Sequence, residues 1–488
     1  MPEPAPALSL LALEPVPTLL RRLREELAAD FAGTVRLSRA PGRLDVMGGI
    51  ADYTGSLVCQ ATLDRAAAVA LHQRADRQVQ VFSLNLRDDH KPFSLQIPLD
   101  ALAEDSVETL RAKLSEPEKR WAGYLVGCLK ILHEHKLVDL KRPEVLGMNL
   151  AVYGTVPLGA GVSSSASIEV ATMMNLCGHF GLLEKIEPLE LAAMCQEVEN
   201  RIVGAPCGIM DQVASCCGRP DSLLRLLCQP HELQNPLRFP AGVRAVGIDS
   251  RVKHSVGGPN YGRTRCAAFM GHRIILEKMR EMGLAVGKTL ENDPMHGYLA
   301  NLSPDDYKRL FRPYLPQWMA GQEFLDQFGG TIDKATRVDP SERYHVQQAT
   351  DHHVLEANRV RNFVRFMEEA GAIEESSAPR RHLLNKAGHL MYASHISYTR
   401  DAMQGADECD LLVDLVRQRE SAGLYGAKIT GGGCGGTVAV LCDSGSGVDA
   451  SLEEIMSEYH RQTGNEPRLF GAASPGAWQV RTVECELA

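Results

Sequence analysis

The sequence predicts an α+β protein of two domains. Strand-like and helix-like segments follow one another irregularly along the 488 residues, unlike the regular alternation of a doubly wound parallel sheet. A hydrophobic content of 44% is enough to fill the cores of two domains. The segment 287–341 is polar and dotted with Pro and Gly, which indicates an insertion. We therefore expect an N-terminal domain over 1–250 and a C-terminal domain over 251–488, which carries the insertion.

The first half is predicted to contain most of the strands. An amphipathic helix opens it over Leu19–Phe31, because the leucines and Phe31 share one face. Short apolar runs then predict strands at Val35–Ala40, Leu57–Ala61, Val79–Phe82, Met148–Val152, Ser222–Leu227 and Val243–Ile248. Helical periodicity predicts helices at Trp121–His133, Ser167–Phe180 and Pro188–Val203.

The second half is predicted to be rich in helices. Periodic apolar positions indicate helices at Arg263–Met282, Asp351–Ala370, Pro379–His395 and Glu408–Ser421. Towards the end the pattern predicts a strand pair at Lys428–Ile429 and Thr437–Cys442, a helix at Leu452–Thr463 and a closing strand near Ala477–Val483.

The junction between the strand at 148–152 and the helix that follows carries the strongest functional signal. It contains the run Pro157-Leu158-Gly159-Ala160-Gly161-Val162-Ser163-Ser164-Ser165-Ala166. Glycines let the backbone approach a ligand closely, while the N–H groups and the dipole at a helix start favour an anion. A Gly/Ser-rich loop without a ligand is the alternative, but the run is longer and more specific than a short glycine motif. We interpret it as a phosphate-binding loop.

A second glycine-rich segment, Gly283–Thr289, imitates a nucleotide-binding loop. Its two outer glycines stand one residue too close for a Walker A motif, and the stretch before it is helical instead of a strand. We interpret this segment as the end of a helix and a turn.

Three further blocks contain candidate site residues. In the first, Arg43 and Asp52 flank a glycine-broken turn. In the second, Asp211 is the single carboxylate of an apolar stretch rich in Gly and Pro, where a buried acid must be paired or change its pKa. In the third, Thr430–Gly436, six small residues suit close backbone approach to a bound group. A surface turn, a helix N-cap and a flexible hairpin are the respective structural alternatives.

Composition excludes several functional classes. A net charge of −9 and the lack of a basic run argue against nucleic-acid and membrane-surface binding. We find neither an apolar stretch near 18 residues nor a signal peptide. The 13 cysteines show no spacing typical of a metal site, so we expect reduced thiols and a cytoplasmic location.

Taken together, the phosphate-binding loop, the Asp211 block and the glycine block resemble motifs of the GHMP small-molecule kinases. The Arg43 block and the Asp211 block are similar to the galactokinase branch. The resemblance spans residues 35–445 in the order of the family. It implies a ribosomal-S5-like N-terminal domain, a ferredoxin-like C-terminal domain and an active site between them. It further implies ATP and Mg²⁺ as cofactors, a sugar as substrate, and a monomer or homodimer.

The resemblance also implies a role for each candidate residue. Asp211 would accept or position the proton of the anomeric hydroxyl, with Arg43 paired to it, while Ser164 and Glu199 would reach Mg²⁺. The sugar site would be formed by Asp52, Gly49, Ile50, Gly208 and Tyr261. The nucleotide would be held by Pro157, Gly159, Ala160, Gly161, Val162, Ser163, Ser164, Ser165 and Ala166, with Trp121 near the adenine.

The chain departs from the galactokinase pattern at Gly49 and Ile50, where those enzymes carry Glu and His at the 6-hydroxymethyl end of galactose. L-Arabinose has the ring stereochemistry of galactose without carbon 6, and an unpaired hydrogen-bonding group costs about 1–3 kcal/mol. The block is similar to the L-arabinose-specific members of the family. We therefore expect an ATP-dependent L-arabinose 1-kinase, with D-galactose as the alternative substrate. A non-catalytic sugar sensor is disfavoured because the Ser165-Ala166 pair is present.

Overall fold

The computed structural model describes residues 9–253, 259–285, 292–375, 377–471 and 473–487. Within these ranges the strands are β1 (Gly33–Met47), β2 (Leu57–Gln73), β3 (Gln78–Ser83), β4 (Ser94–Pro98), β5 (Met148–Gly154), β6 (Ser222–Leu227), β7 (Glu232–Arg238), β8 (Val243–Asp249), β9 (Met319–Ala320), β10 (Arg343–Tyr344), β11 (Leu424–Ile429), β12 (Thr437–Asp443), β13 (Arg468–Gly471) and β14 (Val483–Leu487).

The α-helices of the same ranges are α1 (Val16–Glu26), α2 (Leu84–Asp88), α3 (Leu99–Glu104), α4 (Val107–Lys113), α5 (Gly123–Glu134), α6 (Ser164–His179), α7 (Pro188–Glu197), α8 (Met210–Cys217), α9 (Pro259–Glu281), α10 (Pro304–Asp306), α11 (Gly321–Phe328), α12 (Val346–Gly371), α13 (Ala378–Arg400), α14 (Asp407–Arg417), α15 (Ser446–Thr463) and α16 (Ala477–Val480). The mixture of elements confirms the α+β class.

Two sheets organise the fold. The larger sheet has the strand order β14-β1-β2-β5-β3-β4. The first residues of β2, 57–60, pair with β6, and β6 pairs in turn with β7. Its pairs are antiparallel except β3 with β5. The smaller sheet has the order β11-β12-β8-β13 and is antiparallel throughout. Helices α5 to α8 pack with the larger sheet in one apolar core, while α14 and α15 pack on the smaller sheet in another.

The two sheets exchange strands across the expected boundary near residue 250. Strand β8 precedes that position but pairs with β12 and β13 of the smaller sheet. Strand β14, close to the C-terminus, pairs with β1 of the larger sheet. The sheets therefore do not follow the expected boundary, and the division into domains 1–250 and 251–488 stays a prediction.

Several elements differ from expectation. Strand β1 extends past the expected end at Ala40 and carries Arg43 within it, and α6 begins at Ser164 instead of Ser167. The expected closing strand near 477–483 is wrong, since α16 occupies its first half and β14 begins only at Val483. The four residues 477–480 are too few to distinguish helical from strand periodicity.

The insertion forms a helical layer with its own apolar cluster against α9. Tyr307, Phe311 and Phe324 are buried in this cluster together with residues of α9 and α12. Of the Walker-like segment, residues 283–285 follow the C-terminus of α9 and residues 286–291 lie outside the described ranges. The buried apolar residues explain how a polar segment folds against the remainder of the chain.

The 13 cysteines are all free thiols. Within the described ranges, every helix is too short or too polar to cross a bilayer.

Candidate active site

A single pocket gathers most of the predicted site residues. It lies where β1, the start of α6, the start of α8 and the start of α9 meet. The predicted residues that line it are Arg43, Ile50, Asp52, Gly159, Gly161, Val162, Ser163, Ser164, Ser165, Glu199, Gly208, Asp211 and Tyr261. Three further lining residues were not named individually as candidates: Cys207 and Met210 near Asp211, and Gly432 within the glycine block.

Five predicted residues do not line this pocket. Ala166 is buried inside α6, and Ala160 presents its carbonyl to the Thr437 hydroxyl at 2.8 Å. Pro157 lies at a neighbouring depression beside Arg65. Trp121 packs against the N-terminal core and Gly49 lies behind Ile50. Of the predicted phosphate-binding loop, only Gly159 and residues 161–165 therefore line the pocket.

Asp211 and Arg43 form the charged pair at the centre of the pocket. Arg43 Nε donates to Asp211 Oδ1 and Arg43 Nη2 to Oδ2, both at 2.9 Å. The Arg43 side chain is only 3% exposed, while that of Asp211 is 21% exposed and reaches the pocket. A bidentate arginine–carboxylate pair holds the carboxylate in one orientation. The same guanidinium donates to the Gly161 carbonyl at 2.7 Å, so it ties Asp211 to the phosphate-binding loop.

Ser163 joins this pair from the last residue before α6. Its φ is +62°, a left-handed conformation that residues other than glycine rarely adopt. This backbone conformation turns its hydroxyl toward Asp211 Oδ2, to which it donates a hydrogen bond. Strained backbone of this kind is typical of functional sites. Ser163 is therefore a hydrogen-bond donor to the Asp211 carboxylate, while Ser164 and Ser165 begin the helix whose N-terminus faces the pocket.

The glycine block reaches the same place from the smaller sheet. Gly431 lies so close to the phosphate-binding loop that a Cβ there would stand 2.7 Å from the Gly161 carbonyl oxygen. Gly432 lines the pocket itself. The block thus allows close approach as expected, chiefly to the backbone of the phosphate-binding loop.

Glu199 lies on a π-helical turn, Val198–Val203, that continues α7. Burial and the nearby Asp211 charge raise its pKa to about 7, against the opposing hydrogen bonds from Ser165, Cys207 and Gln212. The Gln212 amide donates to Glu199 at 2.8 Å. Turns of this π type widen a helix and often carry functional side chains.

Glu197, two residues earlier, lies outside the pocket. It pairs with Arg201 at 2.7 Å and with His135 at 3.0 Å on the surface. Behind Glu199, the same Gln212 amide nitrogen lies 3.2 Å from a carboxylate oxygen of Glu169, a buried acid whose pKa burial raises well above its ordinary value. Sequence analysis missed Glu169 because nothing in its helical pattern distinguishes it from its neighbours.

Asp52 also lines the pocket. Its carboxylate accepts the Tyr53 backbone N–H at 2.6 Å and is 4% exposed. Burial and the negative charge of Asp211 raise its pKa to about 7, while Arg265 acts to lower it. Gly208 packs directly against this carboxylate, and a Cβ at Gly208 would stand 1.6 Å from Asp52 Oδ2. Position 208 therefore requires glycine as long as Asp52 keeps this orientation.

Ile50 supplies the apolar part of the wall, and Tyr398 supports it from behind. The Ile50 backbone N–H donates to the Tyr398 hydroxyl at 2.8 Å, and this hydroxyl donates to the Gly431 carbonyl at 3.0 Å. A Cβ at Gly49 would stand 1.5 Å from the same oxygen, and Gly49 has φ +46°. The phenol of Tyr398 thus occupies the space in which a side chain at position 49 would begin.

Two parts of the chain match models of one protein family. The model of the GHMP kinases N terminal domain matches residues 123–219, and the model described as GHMP kinases C terminal matches residues 359–461. The galactokinase of Chloroflexus aggregans is 30% identical over 88% of this chain and 89% of its own length. The chain belongs to the GHMP kinase family. The motifs of this GHMP kinase had predicted that family.

A second relative of this GHMP kinase carries a different name. The L-arabinokinase of Arabidopsis thaliana is 34% identical over 94% of this chain. The chain spans about half of that protein, 48% of its length.

Among solved structures, that of Lactococcus lactis galactokinase complexed with galactose has a TM-score of 0.69 at 22% identity. The match covers 96% of this chain and 100% of that one. The two-domain GHMP kinase fold expected from the motifs is thereby confirmed.

Proposed function

We propose that this GHMP kinase transfers the γ-phosphoryl group of ATP to the anomeric hydroxyl of L-arabinose. One observation carries the proposal: the Arg43–Asp211 pair lines the same pocket as the phosphate-binding loop, Asp52 and Ile50. The nucleophile and the phosphoryl group would therefore meet at a single carboxylate. In phosphoryl transfer, positioning and electrostatic stabilisation supply most of the catalysis.

The phosphate-binding loop fits a nucleotide triphosphate. Gly159 and Gly161 have positive φ angles of 73° and 70°, which bend the backbone around the pocket. The N-terminus of α6 at Ser164 faces the same space, and its dipole favours negative charge. The guanidinium of Arg43 adds a positive charge at the edge of the loop.

Ser164 and Glu199 fit a Mg²⁺ ion that accompanies the nucleotide. Both line the pocket, and hydroxyl and carboxylate oxygens are the ligands that Mg²⁺ prefers. The described residues contain no group of three or more His, Cys, Asp or Glu side chains that could hold a metal, which suits an ion bound largely through phosphate and water. When bound, Mg²⁺ would neutralise charge on the phosphates.

Asp211 would accept the hydrogen bond of the anomeric hydroxyl and receive or orient its proton. The sugar oxygen would form a bond to the γ-phosphorus as the bond to the β,γ-bridging oxygen breaks, and ADP would leave. Arg43 balances the charge of Asp211 and faces the loop where the transferred group would lie. Asp52 would accept hydrogen bonds from ring hydroxyls on the other side.

The choice of L-arabinose rests on Ile50. Its apolar side chain lines the pocket, and Gly49 beside it offers no polar group. A hydroxymethyl group against this wall would lose its water without gaining a partner, at a cost of about 1–3 kcal/mol. D-Galactose is the second candidate, because the C. aggregans relative is named galactokinase.

A coupled ADP-release assay with L-arabinose, D-galactose, D-fucose and D-xylose tests the proposal. We expect the highest kcat/KM with L-arabinose, exceeding that with D-galactose by about 5–150-fold. D-Fucose, which has a methyl group in place of the hydroxymethyl, should fall between the two. Equal use of galactose and arabinose would reject the pentose assignment, and no activity with any sugar would reject the kinase assignment.

The Asp211→Asn variant tests the catalytic carboxylate. We expect kcat to fall by ~10²–10⁴-fold, because the hydroxyl loses its charged acceptor. The Asn oxygen can still accept from Arg43, so a thermal melt should show a folded protein, and ATP-dependent stabilisation should persist. Retention of more than about a tenth of the wild-type kcat would remove Asp211 from this role.

A further inference from the structure

A buried ion pair connects the insertion to the wall of the pocket. Arg265 of α9 donates from Nε and Nη2 to the two carboxylate oxygens of Asp333, both at 2.8 Å. Their side chains are 9% and 4% exposed. Asp333 belongs to the insertion 287–341 and is 68 residues distant in the chain. Such a bidentate pair holds a guanidinium in one plane.

The insertion holds Asp333 firmly in place. Its carboxylate also accepts the backbone N–H groups of Ala335 and Thr336 at 3.1 Å and the Thr336 hydroxyl at 2.6 Å. Burial acts to raise the pKa of Asp333, but the hydrogen bonds and charge of Arg265 outweigh it and keep the pKa below its ordinary value. The carboxylate is therefore charged and fully hydrogen-bonded.

The other face of Arg265 contacts two walls of the pocket. Its guanidinium carbon lies 4.8 Å from the centre of the Tyr53 ring, next to Asp52 in the chain. Its Nη1 reaches toward the carbonyls of Pro206 and Cys207 at 3.4 and 3.3 Å, just before Gly208. Arg265 also lies one helical turn after Tyr261 in α9. One side chain thus spans the turn, the loop and the helix that surround the sugar position.

We propose that Asp333 is a positioning residue for the sugar, and that it acts through Arg265 on the Asp52 turn and the Gly208 loop. The inference rests on the proposed function and assigns a role to the insertion. Without Asp333, Arg265 would be a buried cation free to leave the plane over Tyr53. Small displacements of groups that position a substrate change its binding strongly. The phosphate-binding loop is held by Arg43 and Thr437 instead, so nucleotide binding would not depend on Asp333.

Steady-state kinetics of Asp333→Asn test this proposal, since Asn keeps the shape and removes the charge. We expect the KM for the sugar to rise about tenfold, while the KM for ATP stays within about twofold. Glu342→Gln is the matched control, because Glu342, the residue that follows the insertion, also forms an ion pair with α9, through Arg263 at 2.7 Å. The side chains of that pair are 40% and 36% exposed, and neither residue lines the pocket. The control should leave both constants unchanged.

A second variant separates positioning from loss of folding. Arg265→Lys keeps the cation but cannot form the bidentate pair, and it should raise the sugar KM to a similar extent. Because the two residues act as one unit, the double variant should be no worse than either single variant. A folded Asp333→Asn or Arg265→Lys protein with an unchanged sugar KM would overturn the proposal. Equal increases in the KM for ATP and for sugar would do the same. Absence of sugar kinase activity in the wild type would instead reject the proposed function.

Discussion

At position 50 an isoleucine side chain, 2% exposed, belongs to the apolar cluster of the smaller sheet and also lines the pocket. Its neighbour Gly49 has no space for a side chain because the Tyr398 hydroxyl occupies it. The two positions that depart from the galactokinase pattern therefore differ in kind. Ile50 contributes a side chain to the pocket lining, whereas the φ angle of Gly49 and the Tyr398 hydroxyl leave no room for a side chain at position 49.

The Ile50→His variant is the direct test of sugar choice. We expect the preference for L-arabinose over D-galactose, measured as a ratio of kcat/KM values, to fall by about tenfold. The reason is that imidazole offers a hydrogen-bonding partner where isoleucine excludes one. Ile50→Val keeps the wall apolar and should retain the preference. A change of equal size in Ile50→Val would show that volume, not polarity, governs the choice.

The Gly49→Glu exchange, by contrast, should mainly lower the stability of the fold and therefore reveal little about sugar specificity. A side chain there would collide with Tyr398 and strain the backbone, so we expect this substitution to lower the melting temperature. Sugar specificity is therefore better tested at position 50 alone.

At the scale of elements, the π-helical turn after α7 separates two glutamates that the sequence places on one helix. Glu199 turns into the pocket and contacts Gln212, while Glu197 stays on the surface with Arg201. A regular helix over 188–203 was expected. The π-helical turn at 198–203 holds about one more residue per turn than an α-helix, and the periodic pattern did not indicate it.

This separation provides a matched pair of variants for the metal. Glu199→Gln should raise the Mg²⁺ concentration needed for half-maximal activity by about tenfold or more, because a charged ligand is replaced by a neutral amide. Glu197→Gln should leave the Mg²⁺ titration unchanged. The measurement is activity against Mg²⁺ at a constant ATP concentration. An unaltered titration in Glu199→Gln would reject its assignment as a ligand.

At the scale of the molecule, the two sheets are joined directly beneath the pocket. Asp45 of β1 and Lys428 of β11 form an ion pair at 2.5 Å, and both side chains are 0% exposed. Asp45 also accepts from the Gly49 N–H and from Gln60. A buried pair with these additional hydrogen bonds specifies one relative placement of the strands. The turn that carries Ile50 is thereby positioned against the smaller sheet.

The surroundings of Asp52 also come from distant parts of the chain, and they predict a pH dependence. Asp211 of α8 and burial raise its pKa to about 7, while Arg265 of α9 acts to lower it; the N–H groups of Tyr53 and Met210 also favour the charged form. A sugar hydroxyl needs the charged carboxylate as acceptor, so protonation weakens binding as the pH falls. We expect kcat/KM for the sugar to decline below about pH 7, approaching tenfold per pH unit.

The profile should be recorded at saturating Mg²⁺, because Glu199 has a similarly raised pKa and, as the proposed ligand, its proton would compete with the metal. The KM for ATP serves as the internal control and should change less than the KM for the sugar. A flat sugar profile between pH 5.5 and 8 would contradict the assignment of Asp52 as the acceptor.

By itself, the sequence determined the α+β class and the kinase family, and it predicted the loop 157–166 and Asp211 as parts of the site. These follow from local chemistry, since a glycine and serine run before a helix and a lone carboxylate in an apolar stretch can be recognised without the fold.

Only the tertiary structure decided which of these residues meet. The pairing of Arg43 with Asp211, the placement of Tyr398 behind Gly49 and the reach of Asp333 to Arg265 join segments 168, 349 and 68 residues apart, respectively. A local pattern carries no information on such separations, because the contacts depend on how two sheets and an insertion pack. The physical reason is that a buried charge needs a partner, but the partner can come from any element that packs beside it in the folded protein. The same holds for a residue that must leave room for a neighbouring backbone.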